Sequence, residues 1–154
     1  MIPPRFFWLI ACLLLPMAAL AQIDQSEFEV PCLPPAVSDT VNGFLTLTNS
    51  EGGIDSEGHY VDGYPDGLFK FYHQNGKKKA EGHFSKGSKN GFWKDFHQST
   101  GKQHSEGRYV NCLQEGSWKY YHTNGRIKME VRYRKGEETG KRKLYDKRGK
   151  LISF

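Results

Sequence analysis

Aromatic and polar side chains alternate along short segments of this chain, and glycines separate the segments. The stretch EGHYVDGYPDGLFKFYHQNG, residues 57–76, contains two such segments, with Pro65-Asp66-Gly67 between them and Asn75-Gly76 at the end. A period of two is typical of β-strands, and Asn-Gly between such segments indicates a hairpin turn. The pattern predicts strand, turn, strand, turn. No helix is expected over residues 57–150, because each of the frequent glycines would cost about 1 kcal/mol in a helix.

The same pattern recurs along the chain. Related units begin at Glu57, Glu81, Glu106 and Glu130, so the periods are 24, 25 and 24 residues. Repeats of this length indicate an architecture in which neighbouring units stabilise one another. The predicted fold is all-β: an elongated antiparallel meander of about four β-hairpin repeats that forms a single-layer twisted sheet.

The segments before the repeats have a different character. We expect a signal peptide at residues 1–21, a linker or N-terminal arm at 22–42 and a capping half-repeat at 43–56, where GFLTLT precedes the similar GLFKFY by 24 positions. The repeat domain would then occupy residues 57–154. Its four units are residues 57–80, 81–105, 106–129 and 130–154.

The first 21 residues have the three regions of a secretory signal. Arg5 lies in a short basic region, residues 6–15 are apolar, and Ala19-Leu20-Ala21 supplies a small-x-small cleavage site. We therefore expect export to the periplasm or the extracellular space. Acylation at Cys12, which follows a sequence similar to a lipobox, is the less favoured alternative because apolar residues continue beyond it.

Register can be predicted by treating Asn75-Gly76 as a two-residue turn, so that Gln74 faces Lys77. Counting outward places the lysine of each unit opposite the glutamate of the next, which would help to fix the register. The predicted pairs are Lys70–Glu81, Lys94–Glu106 and Lys119–Glu130, and Lys143 has no following glutamate. Counting about the other turn predicts exposed histidine–glutamate pairs: His73–Glu57, His97–Glu81 and His122–Glu106.

The aromatic side chains are the main apolar component of the repeats. We expect a stacked core along the sheet that includes Phe69, Trp93 and Trp118, with Tyr60, Phe84, Tyr109 and Tyr133. A single-layer sheet cannot bury both of its faces, so some aromatic residues should be exposed to a partner. The candidate aromatic surface consists of Phe71, Trp93, Trp118 and Tyr120.

Charge is distributed unevenly along the chain. Residues 22–56 contain six acidic and no Lys or Arg residues, whereas residues 57–154 contain 21 basic and 11 acidic residues. Such polarity suits self-association or an anionic partner. The candidate anion-binding residues are clustered in the fourth unit: Arg132, Arg134, Lys135, Lys141, Arg142, Lys143, Lys147 and Arg148. The same residues could instead form a solvated edge that discourages aggregation.

Cysteine and histidine offer little further chemistry. Cys32 and Cys112 would remain after export, and they form either one disulfide or two separate thiols. Equivalent histidines would lie two strands apart, about 9–10 Å, which is too far for one zinc ion. Motifs of serine hydrolases, phosphate-binding loops and zinc proteases are missing. We expect no enzymatic activity, cofactor or bound metal.

The repeat resembles the MORN repeat (membrane occupation and recognition nexus), and more closely its bacterial variant. The likeness covers about residues 43–150 and lies in GLFKFY at 67–72, GFWKDF at 91–96 and GSWKYY at 116–121, each following Glu-Gly-x-Tyr/Phe. The fourth unit departs from the pattern at Val131 and Arg142, and the third has Cys112 in place of a turn glycine. The resemblance implies a β-hairpin module for binding, scaffolding or dimerisation rather than catalysis.

The function predicted first is an exported, non-enzymatic scaffold that binds a protein partner or another copy of itself. The alternative is a peripheral binder of anionic lipid or acidic glycan that acts through the basic fourth unit; nucleic acid is not expected as the partner of an exported protein. A third interpretation is an antitoxin-like or immunity protein, because members of the resembled bacterial family often carry that label. These interpretations fall in different functional classes, and the sequence does not choose among them.

Overall fold

Ten β-strands form one antiparallel sheet in which consecutive strands are neighbours throughout. The computed structural model describes residues 32, 37–38 and 40–153, so the predicted signal peptide lies outside the described residues. The strands are β1 (Gly43–Thr48), β2 (Ile54–Val61), β3 (Tyr64–Tyr72), β4 (Lys78–Ser85), β5 (Ser88–Phe96), β6 (Gln103–Val110), β7 (Leu113–Tyr121), β8 (Ile127–Arg134), β9 (Glu137–Tyr145) and β10 (Leu151–Ser153). The predicted all-β meander is confirmed. Within this part of the chain, no helix is long and apolar enough to cross a membrane.

The tight two-residue turns lie at a different place in the repeat from the one predicted. Val61 pairs with Tyr64, and the two residues between them, Asp62 and Gly63, both have positive φ, 49° and 77°. Positive φ at both central residues is characteristic of a type I′ hairpin turn. The other tight turns of this kind are Lys86-Gly87, Asn111-Cys112 and Lys135-Gly136.

The Asn-Gly turn is longer than predicted. The His73 N–H donates to the Lys77 carbonyl and the Gly76 N–H donates to the His73 carbonyl, both at 2.8 Å, so three residues form the loop. The predicted pairing of Gln74 with Lys77 is therefore wrong. A bulge at Lys79 adds one residue to β4 and restores the predicted pairing of Lys70 with Glu81.

The predicted histidine–glutamate pairs are also wrong. Glu57 pairs with Lys70 across β2 and β3, because the turn is tighter than assumed and a bulge near Gly67 shifts the register. His73 is instead buried, with Nε2 3.0 Å from the carbonyl oxygen of Phe96 at the end of β5. His97 and His122 make the equivalent contacts, to the carbonyl oxygens of Tyr121 and Tyr145. Each histidine thus connects its own Asn-Gly-type turn to the strand end two strands further along.

A continuous row of aromatic rings forms the core on one face of the sheet, called the core face below. The rings follow the order Tyr60, Phe69, Phe84, Trp93, Tyr109, Trp118 and Tyr133, with successive centroids 5.3, 5.1, 5.1, 6.1, 5.0 and 6.2 Å apart. Every successive pair is edge to face, the favourable geometry for aromatic side chains. The rings of neighbouring repeats therefore pack against one another, and the core is shared between repeats.

A glycine beneath each of the largest rings makes this packing feasible. A Cβ atom built on Gly82 would lie 2.2 Å from Cδ2 of Trp93, far inside van der Waals contact. Gly58 and Phe69, and Gly107 and Trp118, have the same relation. The Trp93 indole N–H also donates to the His83 carbonyl at 3.0 Å, which fixes the ring against β4.

The predicted aromatic surface is wrong. Phe71, Trp93, Trp118 and Tyr120 are all buried, with exposed fractions of 8, 1, 1 and 4%. Phe71 and Tyr120 lie two residues after a core ring, so the alternation of a strand places them on the core face as well. These four side chains therefore belong to the core face, and the exposed aromatic side chains of the opposite face include Phe44 and Phe92.

The second repeat has polar groups where its neighbours have an aromatic ring. Asp95 occupies the position of Phe71 and Tyr120 and accepts a 2.6 Å hydrogen bond from the Ser105 hydroxyl. Burial raises the pKa of Asp95, although the hydrogen bond from Ser105 opposes this shift. His104 is also buried, and its ring lies edge to face with the ring of His97. Burial, together with the nearby charges of His97 and Lys128, lowers the pKa of His104 to about 4.

The shifted pKa of His104 predicts a loss of stability in mild acid. The unfolded chain takes up the proton near pH 6.5, whereas the folded protein resists protonation until about pH 4. The contribution is therefore fully present above pH 6.5 and falls as the pH drops toward 4. After allowance for partial exposure we expect a loss of about 1–2 kcal/mol at pH 4.5.

Urea unfolding of the wild type and of a His104→Gln variant at pH 7 and pH 4.5 tests this expectation. The variant should lose less free energy of unfolding between the two pH values. A His59→Gln variant is the matched control, because His59 is exposed. The pKa of Asp95 is raised, so its protonation in acid opposes the effect of His104. Asp95 is present in both proteins, and the difference between the wild type and His104→Gln therefore reports on His104. Equal pH dependence of the wild type and His104→Gln would contradict the prediction.

Candidate interaction surface

The face opposite the core, called the outer face below, has a row of alternating charges across eight strands, β2 to β9, and the row begins with the uncharged Thr46 on β1. In register order the row is Thr46, Glu57, Lys70, Glu81, Lys94, Glu106, Lys119, Glu130 and Lys143. The predicted lysine–glutamate pairs between units are confirmed. The structure adds pairs within each unit, so most of the glutamates lie between two lysines. Opposite charges across strands favour this register over others.

Tyrosine hydroxyl groups complete the environment of these glutamates. The hydroxyl of Tyr72 donates to Glu57 at 2.7 Å, and Lys70 contacts the same oxygen at 3.0 Å. These two hydrogen bonds lower the pKa of the Glu57 carboxyl. Tyr121 and Tyr145 donate in the same way to Glu106 and Glu130. The charges of this row therefore have partners within the sheet, which indicates a structural role.

A second row on the outer face has a different composition. It lies beside the charged row and contains one residue from each of nine strands: Phe44, His59, Leu68, His83, Phe92, Arg108, Ser117, Arg132 and Lys141. All nine side chains are exposed. We call these nine residues the exposed row. It is apolar at alternate positions from β1 to β5 and mainly basic from β6 to β9, and it contains no acidic residue.

Side chains of the exposed row have few partners in the sheet. Phe44 and His59 are in ring contact, with centroids 5.5 Å apart. Among the described residues, no ion pair involves Arg108, Arg132 or Lys141. Glu115, the strand-pair partner of Arg108, accepts a hydrogen bond from the Lys135 backbone N–H at 2.8 Å. The row therefore contributes little to the fold and is available for contact with another molecule.

The predicted anion-binding residues do not form one patch. Arg142 lies beside the core face and makes a 2.8 Å ion pair with Glu138, and Lys143 is 4.0 Å from Glu130 in the charged row. Lys135 and Arg148 lie in turns, as does Lys147. The exposed cations of β8 and β9 outside these pairs and turns are Arg132, Arg134 and Lys141. The predicted cluster is thus divided among two faces and two turns of the sheet.

A disulfide joins the segment before the sheet to the third tight turn. Cys32 and Cys112 are bonded, with their Cα atoms 5.6 Å apart. Further along the segment, the Val37 N–H donates to the Gly63 carbonyl and the Gly63 N–H donates to the Val41 carbonyl, at 3.1 and 2.9 Å. The segment is thereby attached at the first and the third tight turns.

The described residues give no indication of a metal centre, since no group of three or more potential protein ligands is close enough to hold an ion. Comparison with known proteins is more informative. A family model for the MORN repeat variant matches residues 65–86 and 114–135. These segments are MORN variant repeats. No curated protein matches the chain.

Each matched MORN variant repeat corresponds to a hairpin of the sheet. The first contains β3 and β4 and the second contains β7 and β8, each with its Asn-Gly turn. MORN repeat proteins are generally binding modules without enzymatic activity. In this chain the core face is covered by its own aromatic rings, whereas the exposed row on the outer face is open to solvent.

Sequence reasoning missed the exposed row of this sheet. The signal was the residue two positions after each repeat glutamate and the residue two positions before each repeat lysine or Thr46, which lie on the outer face in register. At the first position the chain has His59, His83, Arg108 and Arg132, and at the second it has Phe44, Leu68, Phe92, Ser117 and Lys141. Two offsets within the repeat would have identified the row once the core face was known.

Proposed function

We propose that this chain is an exported, non-enzymatic MORN variant protein that binds a protein partner and acts as a scaffold through its exposed row. The observation that supports the proposal is the exposure of Phe44, Leu68 and Phe92, at 57, 49 and 52%, while the aromatic residues of the core face are buried. Large apolar side chains that are lined up on one surface are typical of interaction sites. Their alternate strands are about 9–10 Å apart, so one partner can contact all three.

Site-specific photo-cross-linking tests this proposal in cells. A photoreactive phenylalanine at position 92 is expected to yield a cross-linked protein, whereas the same group at the exposed turn residue Thr123 should not. A Phe92→Ser substitution should reduce co-purification of that protein about tenfold. The proposal fails if positions 92 and 123 cross-link equally, or if Phe92→Ser has no effect on recovery. Fractionation of the same cells tests export.

A second candidate function is peripheral binding to anionic lipid or acidic glycan. It is favoured by the exposed cations of β8 and β9, Arg132, Arg134 and Lys141, which have no ion pair among the described residues. Co-sedimentation with anionic and neutral vesicles tests it. Binding to anionic vesicles that is lost on changing these three residues to Glu, but retained on changing Lys147 and Arg148 to Glu, would support it. Equal sedimentation with both vesicle types would not.

A further inference from the structure

The charges of the outer face are not all balanced within the sheet. The acidic residues of the charged row, Glu57, Glu81, Glu106 and Glu130, each lie across the strand from a lysine, and three of them also accept a hydrogen bond from a tyrosine hydroxyl. The exposed row beside it contributes only basic charge. The surplus charge of the outer face is therefore positive, and it is concentrated from β6 to β9.

The chemical character of the exposed row also changes from one end to the other. Its first half contains the apolar side chains Phe44, Leu68 and Phe92, and its second half contains Arg108, Arg132 and Lys141. A ligand that is only apolar would leave the three cations unpaired, and a ligand that is only anionic would leave the three apolar side chains in water. The complementary ligand has apolar groups at one end and anionic groups at the other.

We infer that the exposed row binds an extended acidic segment of a partner protein, with its apolar side chains on β1–β5 and its acidic side chains on β6–β9. This inference rests on the proposed function and specifies the partner's chemistry. Nine strands span about 38 Å at about 4.8 Å per strand, which corresponds to about twelve extended residues. Alternate strands repeat every 9–10 Å, close to the roughly 9.3 Å per turn of a polyproline II segment, in which every third side chain faces the same side and can contact the row.

Three synthetic peptides of about twelve residues provide the probes. The first has leucine at every third position of one half and aspartate at every third position of the other half. The second has the same residues with leucine and aspartate interspersed, and the third has lysine in place of aspartate. Fluorescence anisotropy with the purified chain should show that the first peptide binds at least tenfold more tightly than the third and several-fold more tightly than the second.

Substitutions in the chain test how each half of the exposed row contributes to peptide binding. Arg108→Ser with Arg132→Ser should weaken binding of the first peptide about tenfold and should reduce its salt dependence, because two charge contacts are lost. Phe92→Ser should weaken binding at all salt concentrations. Arg126→Ser, in the third Asn-Gly turn, is the matched control and should leave the affinity unchanged. Circular dichroism verifies that each exposed-surface variant remains folded.

Several results would overturn the inference. One is equal affinity for the aspartate and lysine peptides, and another is no loss of affinity in the double arginine variant. A dimer in sedimentation velocity that Phe92→Ser converts to monomer would assign the row to a second copy of the chain. Competition by anionic vesicles with equal potency would assign it to a membrane surface. If position 92 cross-links a protein in cells but the peptides show no preference, the proposed function stands and this inference does not.

Discussion

Replacing Gly82 with alanine is expected to lower the free energy of unfolding by about 3 kcal/mol. Strand propensity alone gives the opposite sign, since alanine costs less backbone entropy than glycine by about 0.5–1 kcal/mol. Packing decides the outcome, because the new methyl group would lie 2.2 Å from the Trp93 indole. The ring has little space to move, with Phe84 5.1 Å and Tyr109 6.1 Å away between centroids. Overpacking of this kind costs about 1–3 kcal/mol, and displacement of the ring also endangers its hydrogen bond to His83.

A double-mutant cycle separates the steric effect from a general effect on the strand. In a Trp93→Leu background, Gly82→Ala should cost little, so the coupling energy should exceed about 1 kcal/mol. His83→Ala, at the next residue of β4 but on the outer face, should change stability by no more than about 0.5 kcal/mol. Urea unfolding monitored by circular dichroism gives the values. An unchanged or increased stability of Gly82→Ala would show that the indole does not depend on the glycine.

The fourth repeat lacks both the glycine and the aromatic ring, which agrees with the dependence of one on the other. Val131 stands where the other repeats have the glycine, and Arg142 stands where they have the ring. Arg142 is exposed and pairs with Glu138, whereas Val131 is only 5% exposed and lies in the core cluster with Trp118. The sequence contains this pairing of changes. It becomes interpretable only once the contact between ring and glycine is seen.

The meander, its period and the lysine–glutamate register were predictable because they follow from local alternation and repetition. The turns were less predictable, since glycine occurs in both turns of most repeats. Asn75-Gly76 has the composition of a two-residue turn yet forms a three-residue loop, whereas Lys86-Gly87 and Asn111-Cys112 form the tight turns. The errors in turn length and in bulge position cancel in the hairpin of β3 and β4, whereas in the hairpin of β2 and β3 the bulge near Gly67 offsets only part of the error in the turn. This is why Lys70–Glu81 was correct and His73–Glu57 was wrong.

The interaction surface was predicted less well than the fold for a physical reason. Alternation assigns residues to two faces but does not tell which face is buried when both contain aromatic residues. Phe71 and Phe92 look equivalent in the sequence, yet Phe71 is buried and Phe92 is 52% exposed. Which of the two faces is buried depends on which strand position faces a glycine of the neighbouring strand. That is a relation between strands, so it cannot be read from one segment alone.

Breaking the bond between Cys32 and Cys112 is expected to have the largest effect on stability, a loss of up to about 4.5 kcal/mol. The bonded residues are 80 apart in sequence, and closing a loop of that length removes much conformational entropy from the unfolded chain. The loss should be smaller in practice, about 2–4 kcal/mol, because the reduced unfolded chain retains residual structure and gains less entropy than a random chain. Val37 and Val41 pack against the first core cluster and bond to Gly63 through the backbone, which keeps this part of the segment in place in the folded protein after reduction.

The conformation of Cys112 permits a sharp control for this effect. Its φ is 70°, and the equivalent residues of the other three tight turns are Gly63, Gly87 and Gly136. A side chain in this left-handed region costs about 1 kcal/mol, so Cys112→Gly should lose about 1 kcal/mol less than Cys112→Ala. Cys32→Ala should match the reduced wild type, because both leave Cys112 in place without its bond. Urea midpoints of the oxidised wild type, the reduced wild type and the three variants give this order, and equal midpoints for the oxidised and reduced protein would contradict it.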